Sequence, residues 1–158
     1  MKYYYSMVSR LINNFIEDAS AFGSFPFLIF LVFLFLIIGQ AKLSLWLFIG
    51  LILSFAFVIL IRLFYFKERP KKKEYDNIFE KIEASSFPSM HSWRIVMIFV
   101  FLSYFYKSIY MIIFLGIMAI LVFFSRKYLK KHYWVDIVFG AIFGLIMSLL
   151  IVWLIPIS

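Results

Sequence analysis

The chain has 158 residues, 65% of them apolar and 23% aromatic, with a net charge of +8 and no cysteine. Too few polar residues remain to cover a soluble domain of this size, and without thiols there can be no disulfide, cysteine nucleophile or Cys-ligated zinc. Only two histidines are present, His91 and His132, which excludes a multi-histidine metal centre. The basic excess reads as headgroup contact rather than nucleic-acid binding, since no base-stacking platform accompanies it.

Met1 to Phe22 lacks the continuous apolar core and small-residue cleavage site of a secretory signal, and none is expected. Within it Tyr4, Met7, Val8, Leu11, Ile12, Phe15 and Ile16 recur at helical spacing, with Arg10, Asn13, Asn14, Glu17 and Asp18 opposite. This predicts an amphipathic helix over residues 1–22, lying in the membrane interface or packed against the bundle. A first span is predicted over Phe25–Ile38 and a second over Leu43–Phe66, ending before Pro70, which cannot donate a backbone hydrogen bond. Residues 71–87 form the one long polar connection. A third span opens at Pro88-Ser89 and runs to Tyr106, and a fourth runs from Ile109 to Phe124. Ser125 to Lys131 reads as a short basic loop, and a fifth span runs from His132 or Tyr133 to Ile155.

The expected architecture is therefore all-α: one membrane-embedded domain over residues 1–158, with about five spans in 25–158 and the interfacial helix before them. Alternation puts the N-terminus, the 67–87 connection and the 125–131 loop at one end, with Lys42 and Lys107 at the other. The positive-inside rule then assigns the basic end to the cytoplasm, in a multi-pass protein of the plasma membrane.

Charged residues inside a span are costly and by default point to function. On this topology Arg62, Arg69, Ser89, His91, Arg94, Arg126, His132 and Asp136 all fall at the same end. Arg62 and Arg69 are seven residues apart, two turns on one helix face, and offer forked donors to a phosphoryl group. Ser89 suits an N-cap, with His91 just inside a helix N-terminus that presents free N–H groups to an anion. His132 and Asp136 are four apart, stacked neighbours if helical, so that the carboxylate would fix the imidazole tautomer. For the pieces taken singly, arginine snorkelling to headgroups and an interfacial histidine are competing readings.

Together, Arg62-x6-Arg69-Pro70, Pro88-Ser89-Met90-His91 and Ser125-Arg126-x5-His132-x3-Asp136 resemble the three signature motifs of the type 2 phosphatidic acid phosphatase superfamily, in order and over residues 62–136. The resemblance implies a metal-independent phosphatase with no cofactor. In it His132 attacks phosphorus, Asp136 orients His132 and His91 protonates the leaving oxygen. Arg62, Arg69, Arg126, the Ser89 hydroxyl and nearby N–H groups, Met90's among them, bind the phosphate oxygens. Two departures from the family pattern stand out: Arg62 where lysine is usual, and Met90 where glycine is usual. The expected partners are the bilayer and a lipid phosphate substrate: phosphatidate, a phosphatidylglycerol phosphate or a polyprenyl diphosphate. Two other readings compete, a non-catalytic module or inactive relative that binds anionic lipid, and a small transporter. The first needs no His–Asp pair, and the second would place polar groups near the midplane.

Overall fold

The computed structural model describes residues 2–156, with side chains from Met7 onward, so Tyr4 lies outside the described side chains. Seven helices follow one another: α1 (Lys2–Ala21), α2 (Phe25–Ile37), α3 (Ala41–Phe64), α4 (Ile78–Ala84), α5 (Met90–Tyr106), α6 (Ile109–Tyr128) and α7 (Trp134–Leu154). No strand occurs among the described residues.

α3, α6 and α7, with 24, 20 and 21 residues, are each long and apolar enough to cross a bilayer. α5 is shorter, at 17 residues. α2 has only 13 residues, a rise of about 20 Å against a hydrocarbon core of about 30 Å. The segment Met7–Ala21 and α2 qualify as a span only as a pair, bent by 50° at the joint between them. The expectation of five separate spans thus resolves into three full-length helices, a shorter apolar one, and a bent α1–α2 pair. α1 packs on α6 and buries Ile16 and Ala19, while Leu11 and Phe15 stay uncovered by protein.

The apolar centre is formed by Leu28, Leu43, Trp46, Leu47, Met97 and Phe101, drawn from α2, α3 and α5. Outside it Phe33, Phe64, Ile120, Leu149 and Trp153 are exposed, a surface suited to lipid tails and not to water. The tightest approach is between α5 and α7. A Cβ on Gly140 would run into the Ser89 carbonyl, and one on Gly144 into the Trp93 carbonyl. With Ser148, which is fully buried, these glycines make a small-residue stripe at four-residue spacing that lets two backbones touch.

Local chemistry sets two boundaries differently from the sequence expectation. α4 interrupts the long polar connection because Asn77 caps it: its side chain accepts the Glu80 N–H at 2.9 Å, while Glu80 reaches back to the Asp76 N–H at 2.9 Å. α6 continues through Ser125 and Arg126 to Tyr128, so these residues are helical and not part of a loop. It stops in a Schellman turn with Lys130 at φ 53°. There the Lys130 N–H bonds the Lys127 carbonyl at 3.0 Å and the Lys131 N–H bonds the Arg126 carbonyl at 3.2 Å.

Candidate active site

The connections at one end of the bundle are laced together. Ser86 N–H donates to the Lys67 carbonyl at 2.7 Å, Lys71 N–H to the Lys130 carbonyl at 2.9 Å, and Ser89 N–H to the Asp136 carbonyl at 3.0 Å. Three segments far apart in sequence therefore meet, as the alternation of helices requires. His132 lies within electrostatic range of Arg62, Arg69 and Arg126, His91 within range of Arg94, Arg126 and His132, and Arg62 within range of Arg69 and Arg94.

Each residue gets there by a specific device. The Arg126 carbonyl also accepts the His132 N–H at 3.3 Å, so the turn that ends α6 sets the height of His132. His132 is 2% exposed, and its Nδ1 lies 2.7 Å from the Ser86 carbonyl. A carbonyl can only accept, so Nδ1 carries the hydrogen and Nε2 keeps its lone pair. Burial, followed by the charges of Arg126 and Arg69, holds His132 well below the ordinary imidazole range, against a smaller opposing effect of the Ser86 carbonyl. Burial and the arginine charges both favour the neutral ring.

This corrects the stacked His132–Asp136 pair. His132 precedes α7, whose N-cap is Tyr133, and so does not share a helix face with Asp136. The Asp136 carboxylate accepts the Tyr133 N–H at 2.8 Å and the Lys67 Nζ at 2.6 Å. Lys67 also sits over the rings of Tyr133 and Phe87. The sequence reading missed both Lys67 and the Ser86 carbonyl. A lone lysine two residues before Arg69 gave no signal, and a backbone acceptor gives none in any sequence.

The two-turn spacing of Arg62 and Arg69 is corrected too. α3 ends at Phe64, so Arg69 stands beyond the helix. Arg62 donates to three backbone carbonyls: Phe87 at 3.1 Å, Ile82 at 3.0 Å and Pro88 at 3.0 Å. It clamps the approach to α5, which leaves fewer of its donors for an anion than expected. Arg69 donates to the Glu83 carbonyl at 2.6 Å and Arg126 to the Ser20 hydroxyl at 2.7 Å. The Nε atoms of Arg69, Arg94 and Arg126 are sealed from solvent with no acceptor among the described residues. An unmet buried donor costs about 1–3 kcal/mol, and three in one region suit an anion.

Ser89 caps α5, accepting from the Ser92 N–H at 3.4 Å and the Ser92 hydroxyl at 2.9 Å. Its own hydroxyl hydrogen remains available to donate. The N–H groups of Met90 and His91, first in α5, have no acceptor among the described residues. Met90 takes an ordinary negative φ, and its side chain leans on the apolar core. The residue that departs from the family's glycine therefore fits here without backbone strain and turns its bulk toward the core. No group of three or more His, Asp or Glu residues with metal-holding spacing occurs among the described residues.

Fold and site define a multi-pass membrane protein with a cationic, histidine-bearing centre at one end of its helix bundle. Residues 43–157 match the family model of the PAP2 superfamily, and the chain belongs to that superfamily. No curated protein sequence matches it significantly. Two crystal structures share the fold. LpxE of Aquifex aeolicus superposes with a TM-score of 0.74 at 22% identity, covering 90% of this chain and 86% of that one. A transmembrane PAP2-type phosphatidylglycerolphosphate phosphatase of Bacillus subtilis superposes with a TM-score of 0.71 at 21% identity, covering 89% of this chain and 75% of that one.

Proposed function

We propose that this protein is a lipid phosphate phosphatase working through a phosphohistidine at His132. The observation that carries the reading is a buried imidazole whose Nδ1 is tied to a carbonyl, among arginines with unmet donors. The Nε2 lone pair forms the N–P bond as the bond from phosphorus to the leaving oxygen breaks, and that oxygen takes a proton from His91, which carries it as an imidazolium once the negative charge of the bound substrate offsets the surrounding arginines. Water then gives a proton back to His91 and attacks phosphorus. The N–P bond breaks, and inorganic phosphate leaves. Arg69, Arg126, the α5 N–H groups and the Ser89 hydroxyl stabilise the charge spread over the transferred phosphoryl oxygens, a task that needs no metal.

Asp136 serves this scheme indirectly. It joins Lys67 to the start of α7 while the Ser86 carbonyl sets the tautomer. The substrate is an amphiphilic phosphate ester or diphosphate, since the site lies at the end of a bundle whose sides suit lipid tails. Its phosphate reaches the basic end of the bundle, which we assign to the cytoplasmic face of the plasma membrane.

The test is phosphate release from detergent-solubilised protein on a panel of lipid phosphates with excess chelator. His132→Ala should lower kcat at least ~1,000-fold, and His91→Ala about 100- to 10,000-fold. Release that survives without His132 removes it as the nucleophile, and release abolished by chelator removes the metal-free scheme.

A further inference from the structure

Arg94 belongs to none of the three motifs, yet it is among the most buried charges of the protein. It is 3% exposed, one turn along α5 from His91. Residues three apart on a helix are neighbours on one side, about 4.5 Å further along the axis. No carboxylate, carbonyl or hydroxyl among the described residues accepts from it, and its Nε is sealed off. Its guanidinium lies over the faces of two rings, Phe55 of α3 at 4.7 Å and Phe25 of α2 at 5.8 Å. A guanidinium placed inside a span without an anion is costly. Two ring faces return only a part of that cost.

The surroundings say what would complete it. Phe25 and Phe55 also line a groove of about 860 Å³ between α2 and α3, continued by Phe33, Leu36, Phe48 and Ile52. The groove is apolar along its length and has Arg94 beside one end, next to His91. A substrate whose terminal phosphate sits at His132 and whose hydrocarbon lies between α2 and α3 would pass Arg94 on the way.

We infer that Arg94 binds the non-transferred phosphate of a substrate carrying two phosphate groups, while the hydrocarbon chain of that substrate occupies the α2–α3 groove. The inference rests on the phosphatase reading for the position of the terminal phosphate. The shared chemistry is a second anionic phosphoryl group next to the scissile one, either the inner phosphate of a prenyl diphosphate or the phosphodiester of a phosphatidylglycerol phosphate. Arg94 is then a specificity-determining residue, and a lipid monophosphate makes no use of it.

Binding can be tested in the His132→Ala background, where substrate persists. Farnesyl diphosphate is compared with farnesyl monophosphate, and phosphatidylglycerol phosphate with phosphatidate, so that each pair differs chiefly in the second phosphate. Arg94→Met should weaken at least one two-phosphate ligand by about ten- to hundredfold, the range for a lost charge-assisted hydrogen bond. It should change the monophosphate partner less than about threefold, well inside the spread of ordinary surface effects, and Arg94→Lys should recover part of the loss. The pair that responds identifies the source of the second phosphate. Equal weakening within both pairs, or none in either, overturns the inference. Thermal melting of the variants without ligand separates a folding defect from lost recognition. Because binding is read without turnover, an inactive wild type would sink the phosphatase reading and leave this result standing.

Discussion

At the scale of single residues, the instructive case is Arg62. Its place in the sequence points to phosphate binding, yet it grips the Phe87, Ile82 and Pro88 carbonyls. The three carbonyls are met by three different nitrogens of the guanidinium, whereas a lysine offers its donors from a single nitrogen and does not reproduce that spread. Arg62→Lys, which restores the family's usual residue, should therefore destabilise this protein by about 2–4 kcal/mol through carbonyls left unmet, read as a lower melting temperature in detergent. An unchanged melting temperature with weakened phosphate binding would return Arg62 to the anion. The residue types of the site were legible in the sequence because ionisable groups at span ends are rare. Their pairings were not. The partner of His132 is a backbone oxygen and that of Asp136 is Lys67, and neither follows from spacing.

At the scale of helices, the contact between α5 and α7 governs the site, because Ser89 and His91 ride on one helix and Asp136 on the other. Gly144→Leu should separate the two backbones, lowering thermal stability and phosphatase activity together. Gly116→Ala is the matched control, since the nearest atom to an added Cβ there is a Phe99 ring carbon at 3.9 Å. Full stability in Gly144→Leu would show that the close approach is dispensable. The glycine and serine stripe was visible in the sequence at Gly140, Gly144 and Ser148 and was passed over for the charged residues. The Asn77 cap of α4, with Glu80 three residues on, was equally visible, but a seven-residue helix buries too little to produce a hydrophobic period. The extension of α6 past Phe124 was masked because Ser125, Arg126 and Lys127 look like a loop by composition, although basic residues are favoured in a last helical turn.

For the whole molecule, the order of the helices and the convergence of three segments at one end followed from hydropathy and alternation alone. The number of full crossings did not, because 13 apolar residues can be a short span or half of a bent one, and the joint at residues 22–24 decides that. The chain has no cysteine, so single cysteines report topology cleanly. In spheroplasts, a cysteine replacing Lys107 should react with a membrane-impermeant maleimide, whereas one replacing Lys72 should react only after permeabilisation. The opposite pattern would put the basic end, and the site with it, on the outer face.

The Schellman turn after α6 has one more consequence. Because the Arg126 carbonyl receives the N–H groups of both Lys131 and His132, the distance from Arg126 to His132 is measured out by a closed ring of backbone atoms, like marks on a ruler. Loop length is therefore not free to drift at this place. One residue inserted between Leu129 and His132 would carry the imidazole off the Ser86 carbonyl, while insertions of any length in the solvated stretch around Glu74 would leave the measurement untouched.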